Sequence, residues 1–206
     1  MAVDWDAVRS AIRHSRNGNH LKAVEVLSNL MTDAESDSDR AAIILGEASC
    51  HSQLGDLGKS RELLELAKVY AQGDRDVLSQ VEFAEASLDA LNKECELACE
   101  RFISLRSKYH DLVAENDDFA SELDSRLACA LVDAGKYTDA VPIFEALFQR
   151  EQLEDKQRLQ LFFGVAQMRN GHAAEAQALL LSAAKDEDAA LSKSALEYLA
   201  GIQKVQ

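Results

Sequence analysis

Proline is nearly absent from this 206-residue chain: there is one, alongside nine glycines. Sheet-rich folds punctuate their strands with both residues, so this scarcity argues against β structure and favours helix nearly throughout. Aromatic residues make up only 6% of the chain while hydrophobic ones make up 47%. A core must therefore be built mainly from Ala and Leu. Basic residues are also short, with 22 Lys and Arg against 36 Asp and Glu, a formal net charge of −14. Nucleic acids are bound by displacing counterions with Lys and Arg, and anionic membranes attract basic segments. Neither nucleic acid nor membrane is therefore an expected partner. A basic or apolar protein segment is electrostatically easier, although surplus acid also serves simply to keep a monomer soluble.

Long hydrophobic runs are missing as well. No stretch reaches the ~18 to 20 apolar residues that span a bilayer. The opening MAVDWDAVRSAIRHS carries Asp4 and Asp6 and no continuous apolar core, so it does not read as a secretory signal. A cytoplasmic location is expected. The four cysteines, Cys50, Cys95, Cys99 and Cys129, are dispersed through helical patterns. In a chain of this length they read as small buried hydrophobes rather than staples.

What the chain does have is a recurring unit. LVDAGKYTDAVPIFEAL at 131–147 and MRNGHAAEAQALLLSAA at 168–184 align on Gly135 and Gly171. Each has an Ala five residues past the Gly, then apolar residues at helical spacing. The pattern returns around Gly18 with Ala23, Leu27 and Leu30, and around Gly55 with Ser60, Leu64 and Ala67. Gly55 and Gly135 are separated by two slightly stretched periods, so another turn is expected near Asn92-Lys93, followed by Ala98, Phe102 and Leu105. The Gly ends one helix in a left-handed conformation that costs other residues more. The next helix starts within about three residues, so each pair runs antiparallel. The small residue after the turn lets the two backbones approach, and Leu27, Leu64, Phe102, Phe144 and Leu180 fill the wider end.

These residues resemble the tetratricopeptide repeat family. Its small residue seven before the Gly is matched by Ala11, Ala48, Ala86, Ala128 and Gly164, with Lys93 standing in for the third Gly. Its aromatic two after the Gly appears only as Tyr137, and its closing Pro is absent. The resemblance implies an all-α, right-handed superhelical solenoid of antiparallel helix hairpins. It would form one domain over residues 1–206, with hairpins near 4–35, 38–73, 74–113, 116–152 and 153–187. The tail 188–206 reads as a capping helix that uses Leu191, Leu196 and Leu199 to cover the last hairpin, as solenoids require. The acidic segments 33–39, 115–118 and 185–188 fall where hairpins join, where they cap the next helix and complement its positive end.

No catalytic constellation emerges. His14, His20, His51, His110 and His172 lie on different hairpins or turns. Cys50 and His51 are adjacent, and adjacent helical side chains point about 100° apart. Cys95 and Cys99 share a helical face but supply only half of a typical zinc site. Phosphate-binding glycine loops are absent. No enzyme activity, metal or cofactor is expected.

The resemblance implies instead that the first helices of the hairpins line a concave face that binds peptides. By helical register that face carries Phe83 and Ser87 in the third unit, Ser125, Cys129 and Val132 in the fourth, and Leu161, Val165 and Met168 in the fifth. Leu45, Ser49 and Ser52 are the equivalents in the second unit, and Trp5, Val8 and Ile12 in the first. The Asn, Lys and Arg with which tetratricopeptide co-chaperones grip a terminal carboxylate are missing there, and a buried anion would find no partner. The stripe suits an amphipathic helix or an extended apolar segment. QRLQLFFGVAQM in unit five is apolar on nearly every side, which also suits a helix sandwiched between neighbours, so Leu161 and Val165 are read both ways. On the groove reading, Val165→Glu removes binding and leaves the fold intact. The expected function is a non-catalytic adaptor that binds a protein segment. A self-associating module, possible as a homodimer, and a chaperone-like holder of an apolar segment are the alternatives.

Overall fold

A computed structural model describes residues 5–150 and 153–203. It is all-α: among the described residues there are helices, turns and single 3₁₀ turns and no strand. The helices are α1 (Trp5–Arg16), α2 (His20–Leu30), α3 (Asp37–Gln53), α4 (Leu57–Tyr70), α5 (Arg75–Leu91) and α6 (Cys95–Lys108). They continue with α7 (His110–Glu115), α8 (Asp117–Asp133), α9 (Tyr137–Leu147), α10 (Lys156–Arg169), α11 (Ala173–Ala183) and α12 (Ala189–Gln203). The chain divides into two compact units, Met1–Leu112 and Val113–Gln206. The first holds the hairpins α1/α2, α3/α4 and α5/α6. The second holds α8/α9, α10/α11 and α12.

One local device makes all five hairpins. Gly18, Gly55, Lys93, Gly135 and Gly171 have φ of 77°, 81°, 67°, 75° and 85°. At each, the following N–H reaches back to a carbonyl five residues earlier: Asn19 to His14, Asp56 to His51, Glu94 to Asp89, Lys136 to Leu131 and His172 to Gln167, at 2.8 to 3.0 Å. The turn residue's own N–H donates to the carbonyl three residues before it. This paired arrangement satisfies carbonyls that the end of a helix otherwise leaves open. Lys93 does what glycine does elsewhere, in a left-handed conformation that strains a residue with a Cβ.

The small residues sit where the helices of a pair touch. Ala23, Ser60, Ala98, Ala140 and Ala176 after the turns, and Ala11, Ala48, Ala86, Ala128 and Gly164 before them, are all buried. In the second hairpin the Ser60 hydroxyl donates to the Ala48 carbonyl at 2.8 Å, so the after-turn position meets the before-turn one directly. At Gly164 a Cβ would lie 2.8 Å from Leu180 Cγ, leaving no room for any side chain. Leu27, Leu64, Phe102, Phe144 and Leu180 are buried at the wider end, each stabilising the fold by roughly 1.5–3 kcal/mol by transfer from water.

Within each unit successive hairpins pack through the second helix of one and the first helix of the next, and the first helices also touch each other. α2 packs on α3 and α4 on α5, while α1 touches α3 and α3 touches α5. In the second unit α9 packs on α10 and α11 on α12, while α8 and α12 both touch α10. The phenyl rings of Phe144 and Phe148 stack on Phe163 at centroid distances of 5.2 and 5.7 Å.

Three expectations need adjustment. The stretch from Lys93 to Gly135 contains the extra helix α7, which accounts for the long interval and which periodicity alone does not reveal. At the joins, the acidic segments do cap the following helices, but through neutral side chains in two of three cases. Ser36 accepts the Asp39 N–H at 3.0 Å, Asn116 accepts the Phe119 N–H at 3.0 Å, and Asp188 accepts the Ala190 N–H at 2.8 Å. In α12 the covering residues are Ala195 and Leu199, with Leu191 half-buried, while Leu196 is 55% exposed. Leu196 directly follows the buried Ala195 and is turned about 100° from it around the helix.

Candidate functional site

Equivalent positions on neighbouring first helices define the candidate wall. In the first unit, Leu45, Ser49 and Ser52 on α3 stand ten, six and three residues before Gly55. Phe83, Ser87 and Ala90 on α5 stand at the same distances before Lys93. Ser49 is exposed, and Leu45, Ser52, Phe83, Ser87 and Ala90 are half-buried. Leu91, beside them at the end of α5, is 49% exposed. Two hydroxyls are turned back on their own helices: Ser52 donates to the Ser49 carbonyl at 2.8 Å and Ser87 to the Phe83 carbonyl at 2.9 Å. Those serines present small surfaces whose donors are already used. Phe83 leans toward α6, where its ring meets Phe102 at 5.7 Å. In the first hairpin Val8 is half-buried, and the side chains of Trp5 and Ile12 lie outside the described residues.

The wall positions carry no ionisable residue, and the acids in the body of α5 are paired with bases on the neighbouring helices. Glu82 takes Lys108 at 2.7 Å, and Glu85 takes Lys68 at 2.9 Å and Arg101 at 3.2 Å. Asp89, only 1% exposed, takes Arg101 at 3.0 Å and Arg61 at 3.3 Å. These pairs tie α5 to α4 on one side and α6 on the other. Burial pushes the Asp89 carboxyl above the usual carboxylate range, against the opposing pull of Arg101 and Arg61. Sequence reasoning does not find this network. Its one signal is compositional: Asp89 stands four residues before the turn, where the other hairpins carry His14, His51, Leu131 and Gln167.

The second unit treats the equivalent positions differently. Ser125 and Cys129 on α8 are half-buried, but Val132 is 6% exposed and Val165 on α10 is 7% exposed. Leu161 and Met168 are half-buried against the cluster of Ala176, Leu180 and Leu199, as Leu45 is against that of Ala48, Leu64 and Ala67. The stripe on α10 is thus taken up largely by contact with α11 and α12. A capping helix that touches α10 as well as α11 buries part of what register alone presents as open. Val165→Glu would place a carboxylate in that interior and is expected to cost several kcal/mol of stability, not to leave the fold untouched.

Two of the thiols, Cys50 and Cys129, are held in their protonated form. Burial raises the Cys50 thiol, and it pushes Cys129 up to about 12 against the influence of Arg158 and Arg126, whereas a nucleophilic cysteine needs the opposite shift. His51 approaches Asp56 at 3.8 Å and His172 meets Gln167 at 2.7 Å, each across its own turn. Among the described residues no group of three or more His, Cys, Asp or Glu is placed to hold a metal ion, and no helix is long and apolar enough to cross a membrane.

No profile of a known protein family matches the chain, and no curated protein sequence matches it. Solved structures do. Nearly identical TPR-like repeats from a kinesin light chain-like protein of Podosopora anserina superpose with a TM-score of 0.64 at 20% identity, covering 86% of this chain and 92% of that one. A thermophilic TPR protein of Thermus thermophilus gives 0.63 at 14% identity, covering 95% and 98%. YrrB, described as a TPR protein with an unusual peptide-binding site, gives 0.56 at 12% identity, covering 93% and 89%. With five hairpins closed by the same turn, small residues at each helix contact and these neighbours, the chain has a tetratricopeptide-like, all-α helical-repeat fold.

Proposed function

We propose that this protein is a non-catalytic interaction scaffold that holds a segment of a partner protein against the wall formed by α3 and α5. The observation that carries this reading is the accessible, uncharged surface of Ser49, Ser52, Phe83, Ser87 and Leu91, bordered by Leu45, which is half-buried against the core of its hairpin. It lies on two rigid, adjacent helices of a chain rich in acid. Such a surface gives up little hydration on contact, and its leucines and phenylalanine add apolar area. An extended or helical segment laid across equivalent positions of two parallel elements can use the same contact twice. YrrB, a structural neighbour whose description includes a peptide-binding site, supports the reading by likeness of fold. The α10 stripe, with Val165 buried and Leu161 and Met168 engaged in packing, is a secondary surface at most. Ser125 and Cys129 are half-buried on α8 in the second unit.

Photo-crosslinking in the native lysate tests the proposal. A benzophenone side chain is placed at Ser49, at Leu91, or at Val69, which is exposed on α4. Discrete polypeptide adducts at the first two positions and not at the third are expected. Equal labelling at all three, or labelling only at Val69, overturns the assignment of the wall.

A further inference from the structure

The charge pattern around the α3/α5 wall, on the proposed reading that this wall is the binding surface, narrows the class of partner. We propose that its occupant is an amphipathic segment with an uncharged, apolar contacting face and Lys or Arg at the end that lies over the starts of α3 and α5. The wall positions Leu45, Ser49, Ser52, Phe83, Ser87 and Leu91 contain no ionisable group. The nearby bases of α4 and α6 do not supply free positive charge, because Arg61, Lys68, Arg101 and Lys108 are drawn into pairs with Asp89, Glu85 and Glu82. A charged side chain on the contacting face would lose its water with no counter-ion to meet it. The contacting face of the partner is therefore neutral.

The flanks meet a different field. At the start of the two wall helices stand Asp37 and Asp39 on α3 and Asp76 on α5. At the other end, beyond the turns, Asp56 caps α4, while Glu94 has Arg61 at 4.0 Å and the exposed Lys93 beside it, so that end is close to balanced. The bases near those ends are partly spent: Arg40 pairs with Asp37, Arg75 with Asp111 and Lys59 with Glu62. The start of the wall thus carries carboxylates beyond those met by bases, half-buried Asp39 and exposed Asp76, which steer and retain a cationic flank and repel an anionic one.

Selection from a random peptide library displayed on phage, against the full-length chain, tests both levels. Binders are sorted by whether they lose affinity for a Ser49→Glu/Ser87→Glu double variant whose circular dichroism and melting match the parent. Wall-dependent binders are expected to show apolar residues at helical or alternating spacing with Lys or Arg at one end. Their binding should weaken as salt is raised, and it should fall about tenfold when the basic end is replaced by Glu. Asp39→Lys/Asp76→Lys should weaken the same peptides while sparing neutral-flanked ones. Wall-dependent binders with no basic end overturn the charge inference and leave the wall standing. Failure to recover any wall-dependent binder overturns both.

Discussion

Lys93 occupies a place that four other hairpins reserve for glycine, and replacing it should make the protein more stable. Its φ of 67° matches the 75° to 85° of the turn glycines closely enough that the hydrogen-bonded turn survives substitution. Lys93 is exposed, so removing its side chain forfeits no packing. A residue with a Cβ pays about 1–2 kcal/mol in this conformation. Glycine gives back roughly 0.5–1 kcal/mol of that through the greater freedom of the unfolded chain. Lys93→Gly should therefore gain about 0.5–1 kcal/mol, or roughly 1–4 °C in Tm for a chain of this size. Gly135→Ala runs the experiment backwards: nothing lies within 4 Å of the Cβ it would add, so any loss is backbone strain rather than a clash. It should cost about 1 kcal/mol. Urea denaturation with an unchanged slope and a shifted midpoint reads both. If Lys93→Gly destabilises while Gly135→Ala is neutral, the equivalence of the five turns is wrong.

Other perturbations probe the packing and the charges. Gly164→Ala should destabilise by about 1–3 kcal/mol, because its Cβ would fall 2.8 Å from Leu180 Cγ and 3.0 Å from Leu180 Cδ2. A double-mutant cycle with Leu180→Ala should show strong favourable coupling, and simple additivity would refute the contact. The Asp89 carboxyl is raised in the folded state, so its protonated form is the one folding favours. That contribution is complete below about pH 4 and is lost as pH rises through the folded value. Asp89→Asn should accordingly gain on the parent in stability as pH rises, and the opposite trend would mean the arginine pairs outweigh burial. Asp111 goes the other way: the Arg75 guanidinium holds its carboxyl down at about 2. The pair's contribution is present above the usual carboxylate range and fades as pH falls toward that value. Carbon-detected NMR titration should find Asp111 near 2 and returned to the ordinary range in Arg75→Ala; an unmoved titration would remove the pairing.

The hairpins are legible in the residues because each is specified locally. A turn residue, a small residue five after it and another seven before it lie within one short window, and together they locate even the turn at Lys93. The uncharged wall follows from the same register, since Ser49, Ser52, Phe83 and Ser87 share positions counted from the turns. What is not legible depends on residues distant in the chain. The Arg61–Asp89 and Lys68–Glu85 pairs join positions 28 and 17 apart, and only packing of α4 on α5 brings them together. Val165 looks as open as Ser87 when counted from its turn, yet it is 7% exposed, and position within the hairpin carries no record of what covers it. Leu196 fails for the opposite reason: its apolar character suggests cover, but Ala195 and Leu199 hold the face that docks.

The most direct measurement of the proposed role is the affinity of a crosslinked or selected partner for three versions of the chain. These are the parent, Ser49→Glu/Ser87→Glu on the wall, and Val69→Glu on α4. Loss of about 1.4 kcal/mol or more, at least tenfold in Kd, is expected for the wall variant alone, with helicity and melting unchanged. Equal affinity for all three, or loss confined to Val69→Glu, would contradict binding at α3 and α5.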